Sequence, residues 1–364
     1  MTDFVQIHFL TAYPASCLVR DDTGRPKTMT FGSAPRGRIS SAALKRAVRT
    51  SDEFQNALEG RVGRRTQMLG TRIAQALEDE GFDAATATAT ARTVAAEFGK
   101  IKDPKGKDAT EIEQLAFLAP EEAEAAHALA RRLAHGEITE ADAKGDLKGL
   151  IQGAVKAADI ALFGRMFADR PEMRLDAAAE VAHPFTVERA ETEIDYYVAV
   201  DDLNDRQEDA GSAFIGEQGF LTGLFYGYAN VNKDLLTKNL DGDRDLADRT
   251  LAAFIEGLAK VAPVGKRASF GTRARANYLR VERGAASPRS LAVAFLSPIQ
   301  SRGAAGGKTL LDRAVAELEA TAEGFDDVYG DAPEVRSLNV ATREGTLSDV
   351  IALSQGAPRT PGKV

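Results

Sequence analysis

The residues with most chemistry to offer lie between positions 20 and 49, RDDTGRPKTMTFGSAPRGRISSAALKRAVR. Eight of them are cations, Arg20, Arg25, Lys27, Arg36, Arg38, Lys45, Arg46 and Arg49, and only Asp21 and Asp22 oppose them. The chain as a whole carries a net charge of −8. A basic island in an acidic protein calls for an anionic partner or for an acidic neighbour within the fold. Guanidinium forks match phosphate oxygens and lysine supplies a point charge, so the chemistry on offer is the capture of a polyanion.

The end of this stretch fits a helix. Ser40 or Ser41 is a good N-cap, and Ala43, Leu44, Ala47 and Val48 then share one face. On that spacing Lys45 and Arg49 project to the opposite side, with Arg46 at the edge. The segment PRGRIS leads into the helix, so backbone N–H groups and the positive end of the helix dipole face the same way as the cations. The alternative is a solvated basic helix paired to acidic helices elsewhere.

Other candidate chemistry is thinner. Residues 301–309, SRGAAGGKT, resemble a phosphate-binding loop, but Arg302 stands where the first glycine of G-x-x-x-x-G-K-[ST] belongs. No aspartate-ending strand completes an NTPase; a linker, or a backbone contact through Gly306, Gly307 and Lys308, remains. DGDRDLADR has the acids of a calcium loop, but Leu246 replaces the required glycine, so an N-cap with first-turn acids fits better. His8 lies in a strand without a metal-spaced partner, and His127 and His135 sit on a polar helix. Lys266, Arg267, Arg273 and Arg275 form a second basic patch. Asp21-Asp22 and Asp201-Asp202 are paired acids, yet no G-x-S-x-G, H-E-x-x-H or nucleophilic cysteine context accompanies them. The expectation is therefore no catalytic residue, no metal and no cofactor.

Around these residues the order is β, helix-rich, then mixed β and α. DFVQIHFL reads as a strand ended by Tyr13-Pro14. Residues 56–178 are rich in alanine, glutamate and arginine. TRIAQALEDEG, AATATATARTVAAEFGK and PEEAEAAHALARRLAHG each read as a helix, the last opened by Pro120, and KDPKGKD reads as a polar loop. IQGAVKAADIALFGRMFAD reads as another helix, with Phe163, Met166 and Phe167 at the i, i+3, i+4 spacing of a core stripe. From 179 onward, AAEVAHPFTVERA, ETEIDYYVAVDD, FLTGLFYGYANVN, YLRVE, SLAVAFL and EVRSLNV read as extended, and TLLDRAVAELEATAEG as a long helix. In EIDYYVAV, Ile194, Tyr196, Val198 and Val200 alternate with Asp195, Tyr197 and Ala199; Tyr196 is expected in the core and Tyr197 outward. The acidic loop LNDRQEDAGSAFIGEQG is expected to be mobile.

Composition bounds the class. The 364 residues suffice for two average domains or one large domain with insertions. One cysteine, Cys17, excludes an internal disulfide and suggests a reducing compartment. No signal peptide and no apolar run of about 20 residues is evident, so a cytoplasmic protein without a membrane partner is expected. The pI near 5.3 argues against indiscriminate coating of nucleic acid and confines any binding to a local groove.

Four stretches together resemble the CasC family, the repeated backbone subunit of the type I-E CRISPR Cascade complex. They are HFLTAYPASCLVRDDTGRPKTMTFGSAPRGRISSAALKRAVR, FGRMFAD, EIDYYVAVDDL followed by GLFYGYANVN, and GKRASFGTRARANYLRVE. They span almost the whole chain in family order. The resemblance implies an α+β fold: a modified RRM-like (ferredoxin-like) palm from 1–55 and 179–364, helical fingers inserted at 56–178, and a protruding thumb hairpin at 186–220. It implies a non-catalytic member of the RAMP superfamily, multiple copies of which polymerise along the crRNA. Other partners would be the large subunit, the small subunit, the five-prime-end subunit and the guide-processing endoribonuclease, with target DNA reached through the guide. RNA contacts would fall on Arg20, Lys27, Arg38, Ser40, Ser41, Lys45, Arg46, Arg49, Met166, Tyr197, Val198 and Lys308, with Tyr196 beside them. Met166 would touch the guide beside a base, and the thumb would displace one. The rival is a metal-dependent ribonuclease like the type III backbone subunits that cut target RNA, with Asp22 as the residue to test.

Overall fold

A computed structural model of the chain describes residues 2–103, 109–152, 155–166, 174–199, 214–300 and 307–356. The acidic loop at 200–213 with Asp201, Asp202 and Val200, and likewise Phe167, Gly306 and most of KDPKGKD, lies outside the described residues.

In chain order the first half contains β1 (Phe4–Ser16), β2 (Thr28–Phe31), β3 (Ala34–Gly37), α1 (Ser41–Arg49), α2 (Asp52–Ala57), β4 (Arg64–Thr66), α3 (Leu69–Asp79), α4 (Ala84–Ala95), β5 (Ala116–Leu118), α5 (Pro120–Ala134), α6 (Glu140–Gln152) and α7 (Ala158–Phe163). The second half contains β6 (Ala179–Val181), β7 (Phe185–Thr186), β8 (Glu193–Ala199), β9 (Phe214–Asn232), α8 (Lys233–Asn239), α9 (Arg244–Lys260), α10 (Arg267–Phe270), β10 (Tyr278–Gly284), α11 (Leu310–Tyr329), β11 (Glu334–Asn339) and α12 (Leu347–Gln355). The fold is mixed α+β, built in two compact units. One comprises Met1–Phe54, Val181–Asn230 and Leu251–Val364; the other comprises Gln55–Glu180 and Val231–Thr250.

The first unit is organised on a sheet with the order β11-β10-β1-β9, to which β7 and β8 add by pairing with β9. β1 is antiparallel to β10, and β10 to β11. β1 sits between two neighbours and is buried along most of its length, Val5, Ile7 and Phe9 alternating with Gln6, His8 and Leu10. On one face Leu10, Leu224, Tyr226 and Tyr278 meet Ala314, Leu318 and Ala322 of α11. α1 and α9 approach closely elsewhere in the unit, where Gly257 faces Val48.

Polar groups are also buried in this unit. His8 is fully buried, its Nδ1 3.0 Å from Tyr226 Oη, which accepts from the Leu291 N–H. Glu282 is held by Arg280 at 2.7 Å, and Arg280 also by Glu319. His8 is thus a core histidine, as its isolation in a strand suggests.

The second unit has a separate apolar core. Leu69, Ile73, Leu77, Ala87, Ala91, Val94, Leu129 and Leu147 pack together from α3, α4, α5 and α6. These are the stripes of the alanine-rich helices, and Pro120 stands at the start of α5. Asp243 caps α9 by accepting from the Leu246 N–H, the capping role its sequence suggests. Among the described residues no helix is long and apolar enough to cross a membrane.

Three element boundaries differ from the sequence reading. β1 does not stop at Tyr13-Pro14 but runs to Ser16, with Pro14 at an exposed position. SLAVAFL is no strand: Ala292–Phe295 is a 3-10 turn. The segment from Ile151 to Phe163 is not one helix, because α6 ends at Gln152 and α7 is a separate short helix.

Candidate nucleic-acid interface

The basic island of the first unit begins in the loop between β1 and β2. Asp21 closes this loop: its Oδ1 accepts from the Thr23 N–H (2.9 Å), the Thr23 hydroxyl (2.7 Å) and the Arg25 N–H (3.0 Å). These bonds, the Thr23 hydroxyl foremost, hold the Asp21 carboxyl below its ordinary pKa. Asp21 therefore shapes the loop that presents exposed Arg20 and Arg25. Lys27 is tied in at both ends, its N–H donating to Val19 O and its carbonyl accepting from the Arg38 N–H at 2.8 Å.

Ser40 caps α1 by accepting from the Ala43 N–H at 3.3 Å. Leu44, Ala47 and Val48 are buried, and Arg46 is exposed. Lys45 is half-buried. Arg49, expected on the outward face with Lys45, is instead only 9% exposed. Its stem continues the buried side of the last turn.

A residue that the sequence did not single out links Arg38 to the helix start. His183 Nδ1 lies 3.1 Å from Arg38 Nη1 and accepts from the Ser41 N–H at 3.3 Å. With Nδ1 acting as acceptor, the ring proton sits on Nε2. Lys27, Arg38, Ser40 and Ser41 are thereby strung along one bonded path of hairpin end and helix start, with Arg20 in the loop before it and Lys45 on the helix after it.

Arg36, two residues from Arg38, has the opposite fate. It is fully buried. Its Nε donates to Phe31 O (3.3 Å), Nη1 to Thr186 O (2.9 Å), Val187 O (2.7 Å) and Glu188 O (3.3 Å), and Nη2 to Phe295 O (2.7 Å). Carbonyl dipoles solvate the charge that water no longer reaches. One of the eight cations is thus a structural staple, joining the β2-β3 hairpin to β7 and to the 3-10 turn.

The second basic patch belongs beside the loop. Gly265 presses on β1's end so closely that a Cβ there would lie 2.2 Å from Leu18 O. Next to it Lys266 adopts a left-handed conformation, φ 47°. Burial raises the Cys17 thiol's pKa, while Arg20 and Lys266, both near it, lower it. Phe270 of α10 meets Phe220 of β9 at 5.9 Å between ring centroids. Loop, α10 and the root of the β8-β9 hairpin therefore converge. Lys266, Arg267, Arg273 and Arg275 are exposed. Their run without an acid from Pro263 to Val281 was the signal that ties them to the interface.

The β8-β9 hairpin is exposed along all of β8. Tyr196 pairs opposite Glu217, to which its hydroxyl donates at 2.5 Å, and Tyr197 lies opposite Gly216. The expectation that Tyr196 is a core residue is overturned: it is 67% exposed, against 45% for Tyr197 and 57% for Val198. Alternation still operates, but among the described residues no core lies beneath this half of the ribbon, so both faces are outward. Tyr197 shares its face with Phe214, at 6.0 Å between centroids, whereas Ile194, Tyr196, Val198 and Ile215 share the other. Lys308 is exposed just before Thr309, the N-cap of α11.

In the second unit, Gly164 ends α7 with φ +76°, a conformation that favours glycine. Arg165 then turns inward, only 4% exposed, and binds both Glu122 carboxylate oxygens at 2.6 and 2.7 Å. Its anchoring leaves Met166 outside at 79% exposure. The helical core stripe expected through Phe163 and Met166 does not form, because the helix stops before it.

Among the described residues no three His, Cys, Asp or Glu side chains converge as metal ligands would. The arrangement offers cations and backbone donors for phosphates, and exposed aromatic and thioether groups for bases.

The family described as CT1975-like protein matches residues 5–356. Among solved structures, a chain of a "CRISPR RNA-guided surveillance complex, pre-nicking" is 28% identical, with 97% of this chain and 100% of that chain covered and a TM-score of 0.86. A chain of a "CRISPR RNA-guided surveillance complex" is 25% identical over 97% of this chain and 100% of that chain, with a TM-score of 0.74. No curated protein matches. The resemblance to the CasC family drawn from the sequence agrees with both likenesses.

Proposed function

The chain belongs to the CT1975-like family, and on that premise we propose that it is a component of a CRISPR RNA-guided surveillance complex, the repeated backbone subunit of a type I-E Cascade. The observation that carries this reading is the likeness over the whole length of both chains to a subunit of such a complex. The order β10-β1-β9-β7, with α1 following β1 and α9 following β9, supports an RRM-like palm. The helical unit serves as fingers, and β8 with the first part of β9 as thumb.

Several copies line one crRNA head to tail, and in the cytoplasm the large, small and five-prime-end subunits and the guide-processing endoribonuclease complete the particle. Arg20, Lys27, Arg38, Lys45 and Arg46, joined by Lys266 and Arg267, hold guide phosphates without reading sequence. Ser40, Ser41, Arg49 and Lys308 contribute at the margins of that path. Tyr197 and Val198 wedge against a displaced base, and Met166 packs beside the next. The guide pairs with target DNA, and the subunit itself performs no chemistry.

Assembly tests the reading. The protein expressed without guide should be soluble and largely unassembled, since like-signed grooves repel. Co-expressed guide should copurify and shift the protein to a large particle by light scattering. Long RNA-free filaments at moderate salt contradict it. Cleavage of target RNA that Asp22→Ala abolishes would replace it with the ribonuclease reading.

A further inference from the structure

The chain around His183 is pinned on both sides. The Ala182 N–H donates to Tyr228 O at 2.9 Å, Pro184 O accepts from the Ile39 N–H at 2.8 Å, and Phe185 bridges to Arg38 in antiparallel pairing. Phe185 also pairs with Tyr226 of β9. Pro184 confines the residue before it to extended backbone. The histidine is thus carried to a set place at the start of α1, where it is exposed.

The orientation of the ring is set as well. Arg38 Nη1 lies 3.1 Å from Nδ1, and the Ser41 N–H donates to the same nitrogen at 3.3 Å. A guanidinium and a backbone amide can only donate, so Nδ1 carries no proton and Nε2 carries one. Among the described residues no protein group accepts that Nε2 proton. The ring therefore offers a neutral N–H donor at the surface, beside the Arg38 guanidinium and the first turn of α1. Because the imidazole is neutral, it orients Arg38 without cancelling its charge.

We propose that His183 is a further guide contact, donating its Nε2–H to an oxygen of the ribose-phosphate backbone that Arg38 engages. The inference rests on the proposed function, which brings that backbone to Arg38, Ser40 and Ser41. A phosphate oxygen and a ribose 2′-hydroxyl both accept from an imidazole N–H; the second would also let this residue favour RNA over DNA.

The test uses the full chain and compares His183→Asn with the unaltered protein in guide RNA titrations across a salt series. Asparagine keeps an acceptor, Oδ1, for Arg38 and the Ser41 N–H, but has no donor at the Nε2 position. The variant should bind guide RNA at least about threefold more weakly. Its slope of log affinity against log salt should match that of the unaltered protein, because a neutral donor displaces no counterion. The same comparison on a 2′-deoxy guide of identical sequence assigns the acceptor. A loss that disappears there marks the 2′-hydroxyl, and a loss of equal size marks a phosphate oxygen. Unchanged affinity of the variant for guide RNA, where the unaltered protein binds it, overturns the contact and leaves the proposed function standing. A loss accompanied by a slope smaller by about 0.7 also overturns it, since the histidine then acts only by holding a phosphate-binding arginine. If the unaltered protein binds no guide, the proposed function falls and takes this inference with it.

Discussion

β9 is one unbroken strand with two contrasting halves. From Leu221 to Ala229 it supplies Leu221, Leu224, Phe225, Tyr226 and Ala229 to the buried core. From Phe214 to Phe220 it pairs with β8, and Phe214 and Ile215 are 56% and 61% exposed. The covered half is largely apolar and β-prone, whereas the outer half sets Phe214, Ile215 and Phe220 around Gly216, Glu217, Gln218 and Gly219. The first-named half is apolar because sheet and helices cover it. The other has no covering element among the described residues, and a lone two-stranded ribbon is marginally stable in water. Keeping Ile194, Tyr196, Val198, Phe214 and Ile215 apolar there costs solubility and returns nothing to the core, the pattern expected of a surface that a partner covers.

The largest effect should come from breaking the covered half. Arg36→Ala orphans buried carbonyls on the segment that pairs with β9 and leaves a void, and it should cost about 3–5 kcal/mol of unfolding free energy. Arg38→Ala, two residues away and half-exposed, should cost under about 1 kcal/mol. Denaturant unfolding of the two variants separates staple from surface cation, and equal losses would erase the distinction.

The covered half should also sense acid. Burial, then Arg280 and Arg289, pushes the His8 pKa down to about 3. Glu282, 4.0 Å from His8 Nε2, is itself engaged by Arg280 at 2.7 Å and Arg289 at 3.5 Å, so it does not hold a proton on the ring. The folded state binds fewer protons here than the unfolded state. Stability from this group is therefore complete above the unfolded value of 6.5 and is lost as pH falls toward 3. Between those limits His8 should contribute a slope of up to about 1.4 kcal/mol per pH unit. His8→Gln should remove that share of the slope, whatever it does to stability at neutral pH; parallel curves would contradict it.

The uncovered half should respond the other way round. Tyr196→Ala and Tyr197→Ala should change stability by no more than about 0.5 kcal/mol. In assembled particles each should weaken the hold on guide bases by about 1–3 kcal/mol per base that loses stacking. Chemical probing of the bound guide should show reactive bases at regular intervals, and Tyr197→Ala with Met166→Ala should blur that period. Uniform reactivity along the unaltered particle would leave the exposed apolar ribbon without the partner assigned to it.

Much of this contrast was legible in the sequence, and the rest was hidden for physical reasons. The strand around His8, the helix opened by Pro120, the Ser40 cap and the Leu44-Ala47-Val48 stripe all follow from local periodicity and capping. What local pattern cannot give is whether a face has anything to lie against. Alternation placed Tyr196 and Tyr197 on opposite faces correctly, yet Tyr196 is exposed rather than set in a core. Arg36 and Arg38 look alike in the sequence, since only the distant carbonyls of 186–188 and Phe295 make one of them structural. Helical spacing around Met166 misled because Gly164 and the inward turn of Arg165 to Glu122 stop the helix first. SLAVAFL shows the usual ambiguity of a short apolar run.

On the proposed reading, the loop-and-helix cations hold guide phosphates. The most direct measurement is the salt dependence of guide RNA binding for the unaltered protein and for Arg20→Ala/Lys45→Ala. The log of the binding constant should fall linearly with log salt, and the slope should drop by about 0.7 for each contact removed. The loss of affinity should be the same for guides of unrelated sequence. An unchanged slope, or a loss that depends on guide sequence, would remove these residues from the phosphate path.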